Sequence, residues 1–170
     1  MIKNRYILSI DQGTTSSRAI IFDLNGEILA QKNFEFKQYF PKNGWVEHDA
    51  LEIWLDVKSL INKIIKKNNI KSSNIISIGI TNQRETTVLW NKITGKPVNK
   101  AIVWQDRRTS DYCQLLRKKK LDKKIQKITG LVIDPYFSAT KIKWILENNI
   151  KAKKLLKKNN LLFGTIDTWL

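Results

Sequence analysis

The chain has little sulfur and little imidazole. In 170 residues it carries one cysteine, Cys113, one histidine, His48, and one methionine. A lone cysteine excludes an internal disulfide and suits a reducing, cytoplasmic compartment. Cys113 and His48 together are too few for a metal site built from thiolate and imidazole. His48 sits in a Trp-Val-Glu-His-Asp loop just ahead of a helix and reads as structural. Proline and glycine are also scarce, three and seven residues, and no Pro-, Gly- or Ser-rich linker, repeat or low-complexity tract divides the chain. Apolar runs are short, far below the ~18 residues of a membrane span. The opening residues, Met1 to Arg5, lack the apolar stretch and cleavage site of a signal peptide. No membrane insertion is therefore expected.

Acidic residues are the last shortage: 15 Asp and Glu face 31 Lys and Arg, a formal net charge of +16. Between Arg117 and Lys158 fourteen basic residues meet only Asp122, Asp134 and Glu147. A polyanion would stick to such a surface at low salt. No basic strand with interleaved aromatics accompanies it, and the lysines fall among Ile and Asn on helix faces exposed to water. No specific nucleic-acid partner is expected.

What is present is ordinary globular material, 42% hydrophobic and 27% charged, enough for one domain with a sizeable core. Residues 6–10, 18–23 and 27–36 read as three consecutive strands, with Leu24-Asn25-Gly26 turning between the second and third. Asp49 is a candidate N-cap, with Glu52 completing a capping box. In the helix that follows, Trp54, Val57, Ile61 and Ile64 form one stripe beside Ile53, Leu60 and Ile65. Strands near 75–81, 86–91 and 100–105 come next, the last two joined by a turn at Thr94-Gly95-Lys96-Pro97. Helices follow from about 107 to 159, broken at Gly130 and Pro135, and Leu161-Leu162-Phe163 begins a final strand.

Three polar clusters terminate apolar runs. The first is Asp11-Gln12-Gly13-Thr14-Thr15-Ser16-Ser17-Arg18. A carboxylate, a glycine, four hydroxyls and an arginine in one turn suit a metal-bound polyphosphate, although a plain hairpin turn would also explain Gly13. The second is Thr81-Asn82-Gln83-Arg84-Glu85-Thr86-Thr87, at the carboxyl end of a buried strand, where open α/β sheets place ligands. Arg84 and Glu85 could grip vicinal hydroxyls, one donating and one accepting, or form a surface ion pair of little energetic weight. The third is Trp104-Gln105-Asp106-Arg107-Arg108-Thr109. Trp104 could cover the carbon backbone of a polyol or belong to the core, and Asp106 could cap a helix starting near Arg107.

These clusters, with Gly44-Trp45-Val46-Glu47-His48-Asp49, Thr129-Gly130-Leu131-Val132-Ile133-Asp134-Pro135-Tyr136-Phe137-Ser138 and Gly164-Thr165-Ile166-Asp167-Thr168-Trp169-Leu170, stand in the order and spacing of one family. The chain resembles the N-terminal part of the FGGY sugar and polyol kinases. The Gln83-Arg84-Glu85 and Asp134-to-Ser138 blocks resemble the glycerol kinases among them more than the pentulose kinases. The resemblance implies an α/β fold, the ribonuclease-H-like domain of actin and hexokinase, with a mixed sheet flanked by helices. It implies ATP and Mg²⁺ as cofactors, with Asp11 holding the metal through water, and Thr14, Thr15, Ser16 and Arg18 at the phosphates. It implies glycerol as the acceptor, lined by Arg84, Glu85, Trp104 and Tyr136, and phosphorylation to sn-glycerol 3-phosphate. Relatives form homo-oligomers, so the full-length protein is expected to be able to. The family's general-base aspartate lies beyond the position of Leu170, as does the adenine-binding domain. Residues 1–170 are therefore expected to be an N-terminal kinase domain, incomplete at its C-terminal end, with no catalytic base and no turnover of its own. A non-enzymatic remnant that binds glycerol or phosphate weakly, and a kinase of another polyol or ketopentose, are the alternatives.

Overall fold

A computed structural model describes residues 5–170. Residues 1–4, most of the stretch read as lacking a leader, lie outside the described residues. Along the chain run β1 (Tyr6–Gln12), β2 (Ser16–Phe22), β3 (Ile28–Glu35), β4 (Gln38–Tyr39), β5 (Glu47–His48), α1 (Ala50–Lys67), β6 (Ile75–Asn82), β7 (Val88–Asn91) and β8 (Ala101–Ile102). They are followed by α2 (Ser110–Lys118), α3 (Asp122–Thr129), α4 (Ser138–Asn148), α5 (Ile150–Lys157), β9 (Leu161–Gly164) and α6 (Ile166–Trp169). The chain divides into two compact units. One holds the described residues through Lys37 with Asp49–Gln83 and Ile166–Leu170; the other holds Gln38–His48 and Arg84–Thr165.

The first unit is built on a four-stranded sheet ordered β3-β2-β1-β6. β1, β2 and β3 are antiparallel neighbours, and β6 runs parallel to β1. This mixed sheet has the arrangement expected of the ribonuclease-H-like half. The register pairs Leu8 with Ile21 and Ile10 with Ala19, so four apolar side chains share one face. Val57, Leu60 and Ile64 of α1 close over them. Each large aliphatic chain buried there contributes about 1.5–3 kcal/mol of transfer free energy. Asp49 caps α1, its Oδ1 accepting from Leu51 N and Glu52 N at 3.0 and 3.3 Å. The buried stripe of α1 runs Ile53, Val57, Leu60 and Ile64: Val57 and Ile64 belong to the stripe read from the sequence, while Ile53 and Leu60, read as lying beside it, take the places of Trp54 and Ile61. Trp54 lies outside it and is 38% exposed. At the edge of the sheet, β6 leaves Ile76, Ile78 and Ile80 exposed.

The β2–β3 turn is organised by Asp23, whose Oδ1 accepts from Asn25 N and Glu27 N, while Gly26 takes a positive φ of 87°. α6 returns to this unit through Trp169 Nε1, which donates to Ala50 O, and Asp167, which accepts from Asn82 Nδ2.

In the second unit β4, β5 and β8 form one small antiparallel sheet and β7 and β9 a two-stranded one. Leu89, Ile102, Ile145 and Ala152 are its core, with Trp144 and Leu161 packed against them. The strand read over 100–105 shrinks to Ala101–Ile102. Beyond it Val103 N donates to Val46 O and Asp106 N to Val103 O, which turns the chain. The helix read from about 107 begins at Ser110. Asp106 does not cap it, because its carboxylate is spent on Val46 N and Arg108. Gly130 ends α3 in the left-handed conformation, φ 73°. No helix among the described residues is long and apolar enough to cross a membrane.

Candidate functional site

The predicted site residues fall into two groups, one in each unit. In the first unit the turn between β1 and β2 is closed by Gly13 N donating to Ser16 O at 2.9 Å. A Cβ at position 13 would press against that same carbonyl oxygen at 3.3 Å, which explains the glycine. Two buried glutamines hold the turn from beneath. Gln12 Nε2 donates to Gly13 O, while Gln83 donates from its backbone to Gln12 O and from Nε2 to Gln12 Oε1 and Gly13 O, all within 2.7–3.2 Å. With those carbonyls engaged, what the turn presents outward is Thr14, Thr15 and Ser16. The sequence does not announce Gln83 as a clamp, because its contact with Gln12 arises only from the parallel pairing of β6 with β1.

Asp11 lies opposite Arg18 on β2 and Thr81 on β6, and Arg18 lies opposite Asn33 on β3. Direct partners share a face, so a row Thr81–Asp11–Arg18–Asn33 crosses the sheet. Because Leu8 and Ile10 occupy the face covered by α1, alternation puts Asp11 on the other one. A cleft of about 390 Å³ on this unit is lined by Arg18, Gln31, Lys32 and Asn33, a cationic and amide surface. Among the described residues no three His, Cys, Asp or Glu cluster as metal ligands. A single half-exposed carboxylate beside a hydroxyl-rich turn fits Mg²⁺, which keeps water and phosphate oxygens in most of its coordination positions.

In the second unit Glu85 is the centre. Its backbone is left-handed, φ 61°, a conformation uncommon outside glycine and often found at functional sites. Carboxylate Oε2 accepts from Ser138 N at 2.9 Å and Ser138 Oγ at 2.7 Å, at the start of α4. Among the described residues Oε1 accepts from no protein donor. The backbone carbonyl of Glu85 accepts from Lys141 Nζ at 2.8 Å and Thr87 Oγ1 at 3.2 Å. Lys141 Nζ also donates to Tyr136 O at 2.5 Å. Tyr136 N donates to Asp134 Oδ1, which also accepts from Arg107. The Tyr136 ring meets Trp104 edge-on at 5.9 Å, and Trp104 N donates to Thr86 Oγ1. The structure thus brings Glu85, Trp104 and Tyr136 together, with Trp104 half-buried rather than in the core. Arg84 precedes Glu85 with an exposed side chain.

The same unit holds a second arrangement. Arg108, its side chain 1% exposed, makes a bidentate pair with Asp106 and reaches Glu47 at 2.8 Å. Its guanidinium lies over Trp45 at 3.8 Å and Trp144 at 4.7 Å. Val46 N on Asp106 and Arg107 N on Gly44 O complete the join between two sequence blocks sixty residues apart.

Two groups titrate far from their usual range. Burial lowers Lys141 to about 8, with Glu85 and Asp106 acting in the opposite direction. Burial lowers His48 on β5 to about 4, so it is neutral near pH 7, as a structural residue would be. The folded value lies below the unfolded one of 6.5, so the unfolded chain binds more protons between them. Stability therefore falls as pH drops from 6.5 to 4, by about 3 kcal/mol from this group alone. Urea unfolding of the native protein and of His48→Gln at pH 7 and pH 4.5 checks this: the native protein loses more.

The N-terminal domain of the FGGY family of carbohydrate kinases matches residues 6–170. The chain is 57% identical over 166 residues to a glycerol kinase of Geobacillus sp. (strain WCH70), covering 98% of the chain and 34% of that relative. It is likewise 57% identical to a glycerol kinase of Mycoplasma capricolum, covering 98% and 33%. The crystal structure of Plasmodium falciparum glycerol kinase with ADP superposes with a TM-score of 0.92 at 40% identity, over 98% of this chain and 33% of that one. A gluconate kinase from Lactobacillus acidophilus shares the fold, TM-score 0.81 at 21% identity. The chain spans about a third of the length of the curated relatives it matches.

Proposed function

We propose that this chain, which belongs to the FGGY family of carbohydrate kinases, is the N-terminal domain of a glycerol kinase and carries its acceptor group and its phosphate turn. The observation that carries the reading is Glu85. Its Oε2 is fixed by two donors from Ser138 while Oε1 is left for a ligand, beside the edge-on pair of Trp104 and Tyr136. An acceptor carboxylate next to an aromatic wall suits a small molecule that is hydroxyl on one side and C–H on the other. Arg84 adds donors to those hydroxyls, and the Tyr136 phenol either donates or accepts. In the other unit, Thr14, Thr15, Ser16 and Arg18 would contact the phosphates of ATP. Asp11 would hold Mg²⁺, which neutralises charge on the phosphoryl oxygens when bound.

The reaction is displacement at the γ-phosphorus. The terminal hydroxyl oxygen of glycerol forms the new P–O bond, the bond to the β,γ-bridging oxygen breaks, and ADP leaves with the bond's electrons. The hydroxyl proton must go to a base. Within the acceptor group Asp106 is consumed by Arg108 and Val46, and Asp134 by Arg107 and Tyr136. Glu85 remains, and its assigned work is holding substrate. The resemblance to the FGGY kinases implies a base and an adenine site in sequence outside these 170 residues, and the engaged carboxylates of Asp106 and Asp134 support that for the base. A coupled ATP-plus-glycerol assay of the purified chain tests it, with Asp11→Ala as the blank. No turnover above the blank is expected. Turnover that Asp11→Ala abolishes would mean that the chain supplies its own base.

A further inference from the structure

We propose that Lys141 is a positioning residue for the acceptor group: its ammonium ties the backbone carbonyl of Glu85 to that of Tyr136, setting the ligand-holding carboxylate and the aromatic wall in one geometry. This rests on the reading of Glu85 and Tyr136 as glycerol contacts.

Lys141 lies on the buried face of α4 with Ile145 one turn further on, and it is fully buried. An interior position on a helix stripe ordinarily takes an aliphatic residue, since a charge taken out of water must be repaid by close partners. The partners here are specific. Nζ donates to Glu85 O at 2.8 Å and Tyr136 O at 2.5 Å. Those two carbonyls come from segments about fifty residues apart in sequence, and each belongs to a residue whose side chain points to the acceptor. Glu85 also has a left-handed backbone, φ 61°. Its peptide is therefore held turned, with the carbonyl on Lys141 and the carboxylate on Ser138. Removing the ammonium frees that peptide to return to an ordinary φ, which carries the carboxylate off Ser138.

The charged groups around Nζ are Glu85 in the loop after β6, Asp106 and Arg107 in the loop after β8, and Asp134 ahead of α4. The Tyr136 ring lies 6.0 Å away. Lys141 titrates near 8, inside an accessible range. A neutral amine keeps two N–H donors but loses the charge that strengthens them. Raising the pH through 8 therefore weakens the tie. The same titration has the opposite sign for stability. The folded value lies below the unfolded 10.5, so this group's contribution to stability rises from pH 8 to 10.5. A residue that was only structural would not move ligand affinity and stability in opposite directions.

The test is calorimetric titration of the 170-residue chain with glycerol at pH 7 and pH 9, on the native protein and on Lys141→Met. The ¹⁵N–¹H resonance of Ser138 is followed alongside. Lys141→Met is expected to bind glycerol about 10-fold more weakly at pH 7, the equivalent of one charge-assisted hydrogen bond. The native affinity is expected to fall about 3-fold between pH 7 and 9 as the hydrogen bonds lose their charge assistance, and the variant's to stay flat. The Ser138 amide should shift in the variant and titrate near pH 8 in the native protein. Native-like affinity and a native-like Ser138 amide in Lys141→Met would overturn the proposal. Should the variant not fold, the pH arm on the native protein decides: no change between pH 7 and 9 in affinity or in Ser138 also overturns it. Should the native protein bind no glycerol, the functional reading fails, and the Ser138 resonance alone judges the tie.

Discussion

Replacing Arg108 with methionine lowers the unfolding free energy by about 3–5 kcal/mol, because it strips a buried carboxylate of its partner. Arg108 and Asp106 each expose 1% of their side chains, and Glu47 exposes 17%. The guanidinium makes two parallel hydrogen bonds to Asp106, at 2.9 and 2.8 Å, and a third to Glu47. Its flat faces pack on Trp45 and Trp144, whose rings meet each other edge-on at 5.1 Å. Methionine fills the space between the indoles and leaves Asp106 only backbone donors, its own N–H and that of Val46, in place of the guanidinium. Lysine is not a conservative replacement, since an ammonium cannot make the planar fork. The loss belongs to the broken pair rather than to the pair's net worth. Asp106→Asn combined with Arg108→Met should therefore recover part of it, a coupling that a double-mutant cycle in urea measures. Tryptophan fluorescence is the readout, with Trp45 and Trp144 at the site. Domains of this size hold about 5–15 kcal/mol in total, so the single change removes a large share.

Glu85→Gln lowers glycerol affinity about 100-fold, equal to roughly 2.7 kcal/mol lost from charged hydrogen bonds to ligand hydroxyls. The substitution keeps size and shape. It can still accept from Ser138 through its amide oxygen, which then presents an NH₂ group where Oε1 stood. A donor there faces hydroxyl groups that need an acceptor. The unfolding free energy should change by less than about 1 kcal/mol, since the exchange trades one polar partner of Ser138 for another. Binding and stability thus separate. Glu85→Gly should divide them further: glycine adopts φ 61° freely, relieving about 1–2 kcal/mol of backbone strain, but it removes the acceptor altogether.

Much of this was readable in the chain itself, where the cause is local. The turn at Gly13, the hairpin at Gly26, the cap at Asp49 and the stop at Gly130 each follow from a residue's own conformational or hydrogen-bonding chemistry. The polar clusters after β1 and β6 follow from their position at strand ends. Residues whose roles depend on distant partners were not readable. Asp106 looked like a cap because nothing in its neighbours announces Val46 or Glu47, sixty residues away. Trp54 looked buried because a helical stripe read from hydrophobicity alone does not fix which of two neighbouring positions turns inward, and Ile53 is the one buried. Lys141 left one trace, a lysine in register with Ile145 on an otherwise apolar face. Its two carbonyl partners become adjacent only on folding. β7 likewise finds its partner in β9, some seventy residues on.

The measurement that bears most directly on the account is equilibrium binding to the 170-residue chain, with glycerol and xylulose titrated side by side by calorimetry. Saturable binding of one glycerol per chain, tighter than xylulose and lost in Glu85→Gln, is expected. Tighter binding of xylulose, or glycerol binding that survives Glu85→Gln unchanged, would contradict it.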